Sequence, residues 1–433
     1  MIRILDWNKI KPEEILNRDI RAEEDVSAAV DAVIADVRQR GDQALLEYTE
    51  RFDGVKLAAL EVTAAELDAA WDALDDDFKA TLEQAADNIR RFHEKQLQND
   101  FVLTDRPGIV MGQRYTPIRR VGVFVPRSPE AFPSTILMNV IPARIAGVEE
   151  IIVVTPPDKT GAVSAEALAA AKIAGADRIF KVGGAQAVAA LAYGTESIPA
   201  VDKVVGPGGI FVATAKRKVF GQVGIDMIAG PSEILVLSDA GSDPAWVAAD
   251  LLSQAEHDVC ASAVLVTDSR SLAEAVQKEL EKQLETLPRR DIAAKAIADN
   301  GKIIVTTDLN AAVEAVNRIA PEHLELCVAD PFALLPQIRN AGSVFLGRSA
   351  PEALGDYFAG PNHTLPTSGT ARFSSPLGVD DFRKRSSFLY YTREALAEAA
   401  PRIAEFARRE GLEAHARSVL SRRQTKEKGE TNP

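Results

Sequence analysis

Hydrophobic positions divide the chain into a helical beginning and a long segment in which strands alternate with helices. Within residues 20–52, and again within residues 64–96, apolar side chains recur at helical spacings of three, four and seven. From Arg120 onward, short continuous apolar runs such as residues 151–155 are separated by helical patterns. This alternation indicates parallel sheets that helices cover on both faces.

Four regions follow from this pattern. Residues 1–119 are predicted to form a mainly helical N-terminal region, with helix reaching from the first residues to about 105. Residues 120–235 and 236–380 each repeat the strand–helix alternation, so we expect two Rossmann-like, doubly wound parallel-sheet domains. Residues 381–433 are predicted to form a helical C-terminal tail domain. The predicted fold class is therefore α/β, with helical segments at both ends.

Composition changes this picture mainly by what it excludes. The 50 Lys+Arg and 63 Asp+Glu residues give a formal charge of −13, which argues against nucleic acid or an anionic membrane as the main partner. No apolar stretch approaches the roughly 20 residues of a membrane span, and the charged N-terminus predicts no signal peptide. The two cysteines, Cys260 and Cys327, exclude a disulfide framework and favour the cytoplasm.

Histidine is scarce, and four of the five histidines have a second polar ligand candidate near them in the sequence. Gln254 and His257 lie three residues apart at the end of a predicted helix, so they share a face, and an amide oxygen and an imidazole nitrogen can both bind Zn²⁺. His93 has no such neighbour, and we expect it on an exposed helix face. The other pairs are Glu322 with His323, Asp356 with His363 in a glycine-rich loop, and Glu410 with His415. For each pair taken alone, an ordinary surface position is the alternative.

Glu322 and His323 stand just before a predicted strand and could carry acid–base chemistry. A histidine is the natural base for an alcohol proton near neutral pH, and a carboxylate beside it could activate water. Neighbouring residues of an extended chain point apart, so the two would serve different atoms. A solvated pair at the end of a strand is the alternative interpretation.

Two glycine-rich turns, at residues 183–186 and 206–209, follow predicted strands and open helices. Backbone amides at such turns can approach an anion or a planar cofactor. Ligands of open parallel sheets bind outside the carboxyl ends of the strands, so we expect candidate residues to follow strands. Neither turn has the G-x-G-x-x-G fingerprint, and glycine that merely makes a tight turn is the alternative.

Taken together, eight ordered motifs resemble those of the histidinol dehydrogenase family, and they extend over roughly residues 20–420. They are VGVFVP at 121–126, GGAQA at 183–187, AGPSE at 229–233, SQAEH at 253–257, APEHL at 320–324, GDY at 355–357, GPNHTLPT at 360–367 and EGLEAH at 410–415. The resemblance implies a Zn²⁺-dependent homodimer that oxidises L-histidinol to L-histidine with two NAD⁺, through an aldehyde held on the enzyme. It also implies that residues 120–235 bind the cofactor and that residues 236–380 carry the metal and catalytic groups.

The resemblance further assigns roles to individual residues. His323 is implied as the general base of both oxidations, and Glu322 as the group that activates water. The implied metal ligands are Gln254, His257, Asp356 and His415, which with His323 also contact the substrate. Further substrate contacts are implied at Ser232, His363 and Glu410, and cofactor contacts at Phe124, Gln186 and Gly209. The tail that carries Glu410 and His415 would complete the site of the partner subunit.

The cofactor side departs from the family pattern, which usually has tyrosine at Phe124, asparagine at Gly209 and a glycine pair where Arg127-Ser128 stands. Losing a hydroxyl and an amide removes up to two hydrogen bonds, each worth about 0.5–1.5 kcal/mol, so weaker or differently posed NAD⁺ is expected. Two alternatives therefore stay open. One is a paralogue that oxidises another small alcohol, which the retained His363 and Glu410 disfavour. The other is a metal- and nucleotide-binding protein without turnover, which the complete ligand and catalytic sets disfavour.

Overall fold

Strands and helices alternate along most of the chain, and the predicted α/β fold class is confirmed. The computed structural model describes residues 2–10, 15, 21–126 and 132–423. The strands are β1 (Arg3–Asp6), β2 (Phe101–Leu103), β3 (Ile109–Pro117), β4 (Arg120–Phe124), β5 (Glu150–Thr155), β6 (Arg178–Lys181), β7 (Lys203–Val205), β8 (Gly224–Ile225), β9 (Glu233–Ser238), β10 (Ser262–Thr267), β11 (Lys302–Val305), β12 (His323–Cys327), β13 (Ser343–Leu346) and β14 (Arg383–Tyr391). The helices are α1 (Arg21–Arg40), α2 (Asp42–Asp53), α3 (Ala64–Ala73), α4 (Asp76–His93), α5 (Pro133–Ala146), α6 (Ala165–Ala174), α7 (Gly184–Tyr193), α8 (Ile210–Val219), α9 (Pro244–Ala255), α10 (Arg270–Leu284), α11 (Arg290–Asp299), α12 (Leu309–Ile319), α13 (Pro331–Leu334), α14 (Glu352–Tyr357), α15 (Arg393–Arg409) and α16 (Glu413–Arg423).

Two compact units are formed. The first combines Met1–Leu97 with Ile118–Phe382, and the second, which we call the C-terminal unit, combines Gln98–Pro117 with Arg383–Pro433. Both parallel sheets belong to the first unit, and the predicted division of the chain into four domains stays a prediction.

The five-stranded sheet has the order β6-β5-β4-β7-β8, with every pair parallel. The chain starts at β4, builds outward through β5 and β6, and then returns to the other side of β4 with β7. The strand order therefore reverses between β4 and β7, the switch point at which open parallel sheets place ligands. Buried apolar residues of α5 and α6 cover one face, and those of α1, α7 and α8 cover the other.

The six-stranded sheet has the order β1-β11-β10-β9-β12-β13, again all parallel. It repeats the first arrangement, with a switch point between β9 and β12, and adds β1 at one edge. The prediction of helix from the first residues is wrong here, because Arg3–Asp6 is extended and pairs with β11. The amide of Gln277 on α10 donates to the Ile2 carbonyl at 2.7 Å and anchors this strand. This strand was missed in the sequence because four of the seven residues 3–9 are polar or charged, so the segment has no continuous apolar run.

The predicted helical segment 64–96 is two helices. Residues 74 and 75 interrupt it, and Asp75 caps α4 by accepting a hydrogen bond from the Phe78 amide at 2.8 Å. Thr63 caps α3 in a reciprocal capping box with Glu66. Such side-chain caps satisfy amides that a helix end leaves free, so each marks a separate start.

The C-terminal unit contains an antiparallel sheet of order β14-β3-β2. The prediction of helix up to about residue 105 is wrong at β2, because Phe101–Leu103 is extended and pairs with β3. The region 381–433, predicted as a helical tail, begins instead with strand β14. The helices α15 and α16 follow the sheet. Several large apolar side chains of β2 and β14 are exposed, including Val102 at 56% and Leu389 at 74%. Among all described residues, no helix is both long and apolar enough to cross a membrane.

Candidate active site

A cluster of polar side chains lies at the amino ends of β9 and β12. Glu322 and His323 stand where β12 begins, and Glu233 is the first residue of β9. For this sheet the expectation that candidate residues follow strands is wrong. At the opposite, carboxyl edge, the switch point is filled by Asp239, which accepts from the Ala329 amide at 2.8 Å and pairs with Arg348.

His323 is held by one ring nitrogen and open at the other. Its Nδ1 lies 3.0 Å from the Glu233 carbonyl oxygen, and because a carbonyl can only accept, this nitrogen carries the proton. Its Nε2 is buried without a hydrogen-bond partner among the described residues, 3.5 Å from Asp356 Oδ1 and 3.8 Å from Glu352 Oε1. Burial alone would lower the pKa of His323, but the carboxylates of Glu322, Glu352 and Asp356 raise it well above its ordinary value.

Glu322 is also anchored to the backbone of Glu233. Its Oε2 accepts a hydrogen bond from the Glu233 amide at 2.8 Å and lies 3.7 Å from His323 Nδ1. Burial raises the pKa of the Glu322 carboxyl to about 8, although the charge of His323 opposes the shift. A carboxyl that exchanges a proton near neutral pH is suited to general acid–base work.

Glu352 hydrogen-bonds to Gln254 and lies on the same helix, α14, as Asp356. Gln254 lies in the last turn of α9, and with its amide nitrogen facing Glu352 it donates to Oε2 at 3.1 Å and contacts Oε1, so the amide oxygen points away from Glu352. Ser253 Oγ donates to the same carboxylate at 3.0 Å. Glu352 and Asp356 are four residues apart on α14, so they share a helix face that is turned to His323.

Sequence reasoning missed Glu352, because it interpreted the segment around Asp356 as a glycine-rich loop. The available signal was the spacing of two acids four residues apart in PEALGD, which places them on one side of a helix. Glu352 is 2% exposed, the most deeply buried carboxylate facing His323 Nε2.

Two further predicted residues, His363 and His257, lie near Asp356. His363 Nδ1 lies 3.0 Å from the Asp356 carbonyl oxygen, and burial lowers the pKa of its imidazole while the Asp356 carboxylate opposes this. His257 follows α9 and keeps solvent access, yet enough protein surrounds the ring for desolvation to lower its pKa, again against the influence of Asp356. Ser232 immediately precedes β9 and is half-buried.

The prediction for His93 is wrong, and the roles predicted for Glu410 and His415 stay predictions. His93, expected on an exposed face, is fully buried, with Nδ1 2.8 Å from the Ile89 carbonyl and Nε2 3.4 Å from the amide nitrogen of Asn362. It therefore packs beneath the segment that carries His363. Glu410 and His415 belong to the C-terminal unit, where Glu410 ends α15, His415 lies in α16, and both are exposed.

The predicted cofactor residues lie at the carboxyl edge of the five-stranded sheet, where they do follow strands. Phe124 ends β4, and its ring is buried in the apolar core. Gln186 is buried in the first turn of α7. Gly209 is exposed and begins α8 without a side-chain cap, and an added Cβ there would meet nothing within 4 Å. Arg127 lies outside the described residues.

Two groups of side chains have donor types and spacings that suit a metal ion. His323, Glu352 and Asp356 each offer one ligand atom, and these atoms lie within 4.8 Å of one another, as do those of Asp250, Glu325 and Cys327. In the second group, burial and the charge of Glu325 raise the pKa of the Cys327 thiol, so the thiolate that binds metals is disfavoured. The first group has an orphaned imidazole nitrogen, and of the two groups it fits a cation better.

Asp250 and Glu325 form a buried acid pair behind the cluster. Burial and then the charge of Asp250 raise the pKa of the Glu325 carboxyl to about 9, and burial also raises the pKa of Asp250. Near neutral pH the pair therefore keeps a proton. Glu325 Oε1 accepts from the Glu352 amide at 2.7 Å, so the pair supports the beginning of α14.

Comparison with known proteins gives consistent matches over nearly the whole chain. A family model described as histidinol dehydrogenase matches residues 16–423. The histidinol dehydrogenase of Geobacillus kaustophilus is 56% identical over 407 residues, which are 94% of this chain and 95% of that protein. The histidinol dehydrogenase of Listeria monocytogenes is 52% identical over 415 residues, 96% of each chain. The crystal structure of histidinol dehydrogenase from Elizabethkingia anophelis matches with a TM-score of 0.93 at 35% identity and covers 97% of this chain and 98% of that one.

The buried acid pair generates a test of stability against pH. Because the folded pKa of Glu325 lies above its ordinary value of 4.5, the folded protein binds more protons than the unfolded chain between about pH 5 and about pH 9, and stability should fall as pH rises through this window. Glu325→Gln should lose less stability than the parent between about pH 6 and about pH 9, measured by urea unfolding. Glu274→Gln, an exposed change on α10, is the control. Equal losses in the parent and in Glu325→Gln would contradict the assignment.

Proposed function

The chain belongs to the histidinol dehydrogenase family, and from that premise we propose that it is a Zn²⁺-dependent enzyme that oxidises L-histidinol through L-histidinaldehyde to L-histidine with two NAD⁺. The observation that carries the proposal is the buried imidazole of His323. Its Nδ1 is held by a carbonyl, its Nε2 has no hydrogen-bond partner in the described part of the chain, and the protonatable Glu322 lies beside it. Oxidation of an alcohol to an acid needs a proton acceptor and a group that activates water, and these two residues supply both.

His323 acts as the base of both oxidations. Because the Glu233 carbonyl keeps a proton on Nδ1, the neutral form of the ring has its lone pair on Nε2, and it is this form that takes a hydroxyl proton, first from the alcohol and later from the hydrated aldehyde. Glu322 accepts a proton from the water that adds to the aldehyde, and its raised pKa makes it a stronger base than an exposed glutamate. When bound, NAD⁺ accepts a hydride from the substrate carbon in each oxidation, and Zn²⁺ anchors the imidazole and amino nitrogens of the substrate.

The residues proposed to hold Zn²⁺ are Gln254, His257 and Asp356, with the partner subunit's His415. What supports this set is its chemistry, since imidazole nitrogen and carboxylate oxygen are ordinary zinc donors, and since the amide nitrogen of Gln254 donates to Glu352 its oxygen is the atom left to act as a ligand. The residues proposed to contact the substrate besides these are Ser232, His323, His363 and Glu410.

NAD⁺ is proposed to bind at the carboxyl edge between β4 and β7, near Gln186 and Gly209. The open space at Gly209 leaves the first amides of α8 accessible to a phosphate. Phe124 has a buried ring and Gly209 has no side chain, so both lack the polar groups usual in the family. These departures keep two alternatives open, a paralogue that oxidises another small alcohol and a protein that binds its ligands without turnover.

We further propose a homodimer in which the C-terminal unit completes the partner's site. The exposed apolar side chains of β2 and β14 support this, because such surface is normally covered in an assembly. Cys260 and Cys327 are both free thiols, which suits a cytoplasmic enzyme.

The direct test is turnover. Purified protein with L-histidinol and NAD⁺ is expected to form two NADH for each L-histidine, measured by NADH absorbance and chromatography. A chelator should abolish turnover and Zn²⁺ should restore it, and Zn²⁺ affinity in a competition assay should fall as pH drops and the imidazole ligands protonate. Faster turnover of another small alcohol would favour the paralogue, and ligand binding without any NADH formation would favour the inactive alternative.

The two catalytic roles can be separated by the two oxidation steps. His323→Ala should slow both steps by about 10²–10⁴-fold, because each step transfers a hydroxyl proton to this base. Glu322→Gln should slow oxidation of the aldehyde more than that of the alcohol, because only the aldehyde step requires attacking water. Single-turnover assays started from each substrate measure the difference, with bound Zn²⁺ as the control for intact folding. Equal slowing of both steps in Glu322→Gln would remove the water-activating role.

Sharing of the site between subunits predicts complementation. His323→Ala and His415→Ala are each expected to be inactive, but a mixed dimer has one site with both lesions and one with neither. Because random pairing makes half of the dimers mixed, refolding an equal mixture should recover about a quarter of the parent activity. No recovery, in dimers shown by mass spectrometry to have exchanged subunits, would place His415 outside the partner's site.

A further inference from the structure

A buried ion pair lies beneath the turn that follows β7, away from the catalytic cluster. Lys216 Nζ and Asp226 Oδ1 are in direct contact, and the two side chains are only 2% and 1% exposed. Removing two charges from water is costly unless their geometry is good and their remaining hydrogen-bonding groups are satisfied. The other contacts of this pair show what it holds.

Both side chains bind the backbone of one residue, Gly206. Lys216 Nζ donates to the Gly206 carbonyl at 2.9 Å, and Asp226 Oδ2 accepts from the Gly206 amide at 2.8 Å. Asp226 Oδ1 also accepts from the Met227 amide at 2.6 Å. Lys216 comes from α8, whereas Asp226 follows β8, so the pair ties three successive elements together at this turn.

The turn is pressed against the end of β4. Gly206 has a φ of +107°, and a Cβ at this position would stand 2.1 Å from the carbonyl oxygen of Phe124. This close approach is at the switch point between β4 and β7, and residues 207–209 lead from it directly into α8. The orientation of Gly206 therefore sets the direction in which the first amides of α8 point.

We propose that Lys216 and Asp226 are positioning residues for the dinucleotide: the pair fixes the turn at Gly206 so that backbone amides at the start of α8 face the cofactor's phosphates. The pair acts through the turn, since its two charges cancel and neither side chain is open to a ligand. This inference rests on the proposed use of NAD⁺ at this edge of the sheet.

The test replaces both charges at once, because removing one alone would leave a buried, unpaired charge. In Lys216→Met/Asp226→Asn, methionine keeps most of the aliphatic volume and the single asparagine oxygen can still accept from the Gly206 amide, so the losses are the charged bond to the Gly206 carbonyl and the bond from the Met227 amide. The dissociation constant of NADH, measured by fluorescence titration of the holoenzyme, should rise about tenfold, the loss expected for one charged hydrogen bond. The KM for L-histidinol at saturating NAD⁺ should stay unchanged.

Lys203→Met is the matched control. Lys203 is the first residue of β7, the strand that ends just before Gly206. Its Nζ donates to the Asp381 carbonyl at 2.6 Å, at the end of β7 opposite to the Gly206 turn. This change should lower the melting temperature without altering NADH affinity. Lys216→Arg, which keeps the charge and a donor, should retain most of the affinity.

The outcomes are distinguishable. A folded double variant with the parent's NADH affinity would overturn the inference, whereas a parent that binds no NADH would overturn the proposed function and the positioning role with it. If the double variant does not fold, hydrogen exchange of the cofactor-free parent decides. A slowly exchanging Gly206 amide supports a turn fixed in advance, and a rapidly exchanging one overturns it.

Discussion

The backbone of Glu233 is the point on which the reactive groups depend. Its amide donates to Glu322 and its carbonyl accepts from His323, so two neighbouring side chains of β12 are fixed to one residue of β9. The two strands pair in parallel with His323 opposite Ile234, and a slip of one residue would turn the imidazole to the other face of the sheet. Sheet register therefore determines which imidazole nitrogen is available, and the carboxylates of α14 stand opposite that nitrogen.

The same device occurs at the other parallel sheet. There Lys216 and Asp226 bind the carbonyl and the amide of Gly206, as His323 and Glu322 bind those of Glu233. In each case, backbone groups at a sheet edge, which lack a full set of ladder partners, are satisfied by two buried side chains. The consequence differs, because at Glu233 the side chains themselves are the proposed catalytic groups, whereas at Gly206 the element proposed to be oriented is the backbone that follows.

The sequence predicted the repeating strands and helices well, because buried parallel strands are continuous apolar runs that local pattern reveals. It failed where the decisive contact is distant in sequence. Strand β1 is defined by pairing with β11, some three hundred residues away, and His93 is buried only because the segment around Asn362 covers it. Glu352 was missed for a related reason, since its importance comes from contacts with Gln254 and His323 rather than from its neighbours.

The candidate sites lie at the carboxyl edge of the five-stranded sheet and at the amino edge of the six-stranded sheet. This difference has a topological cause that cannot be predicted from local sequence patterns. The first sheet ends its path at its carboxyl edge with Asp226, and the chain enters the second sheet at its amino edge with Glu233. Residues 227–232 connect Asp226 directly to Glu233, and even fully extended they span at most about 25 Å between those two residues. Bonds to the 367–368 segment, from the Gly230 amide to Thr367 Oγ1 and from the Ser368 amide to Glu233 Oε1, anchor this link. The short link keeps the carboxyl edge of the first sheet near the amino edge of the second, and these are the two edges that carry the proposed cofactor site and the proposed catalytic residues.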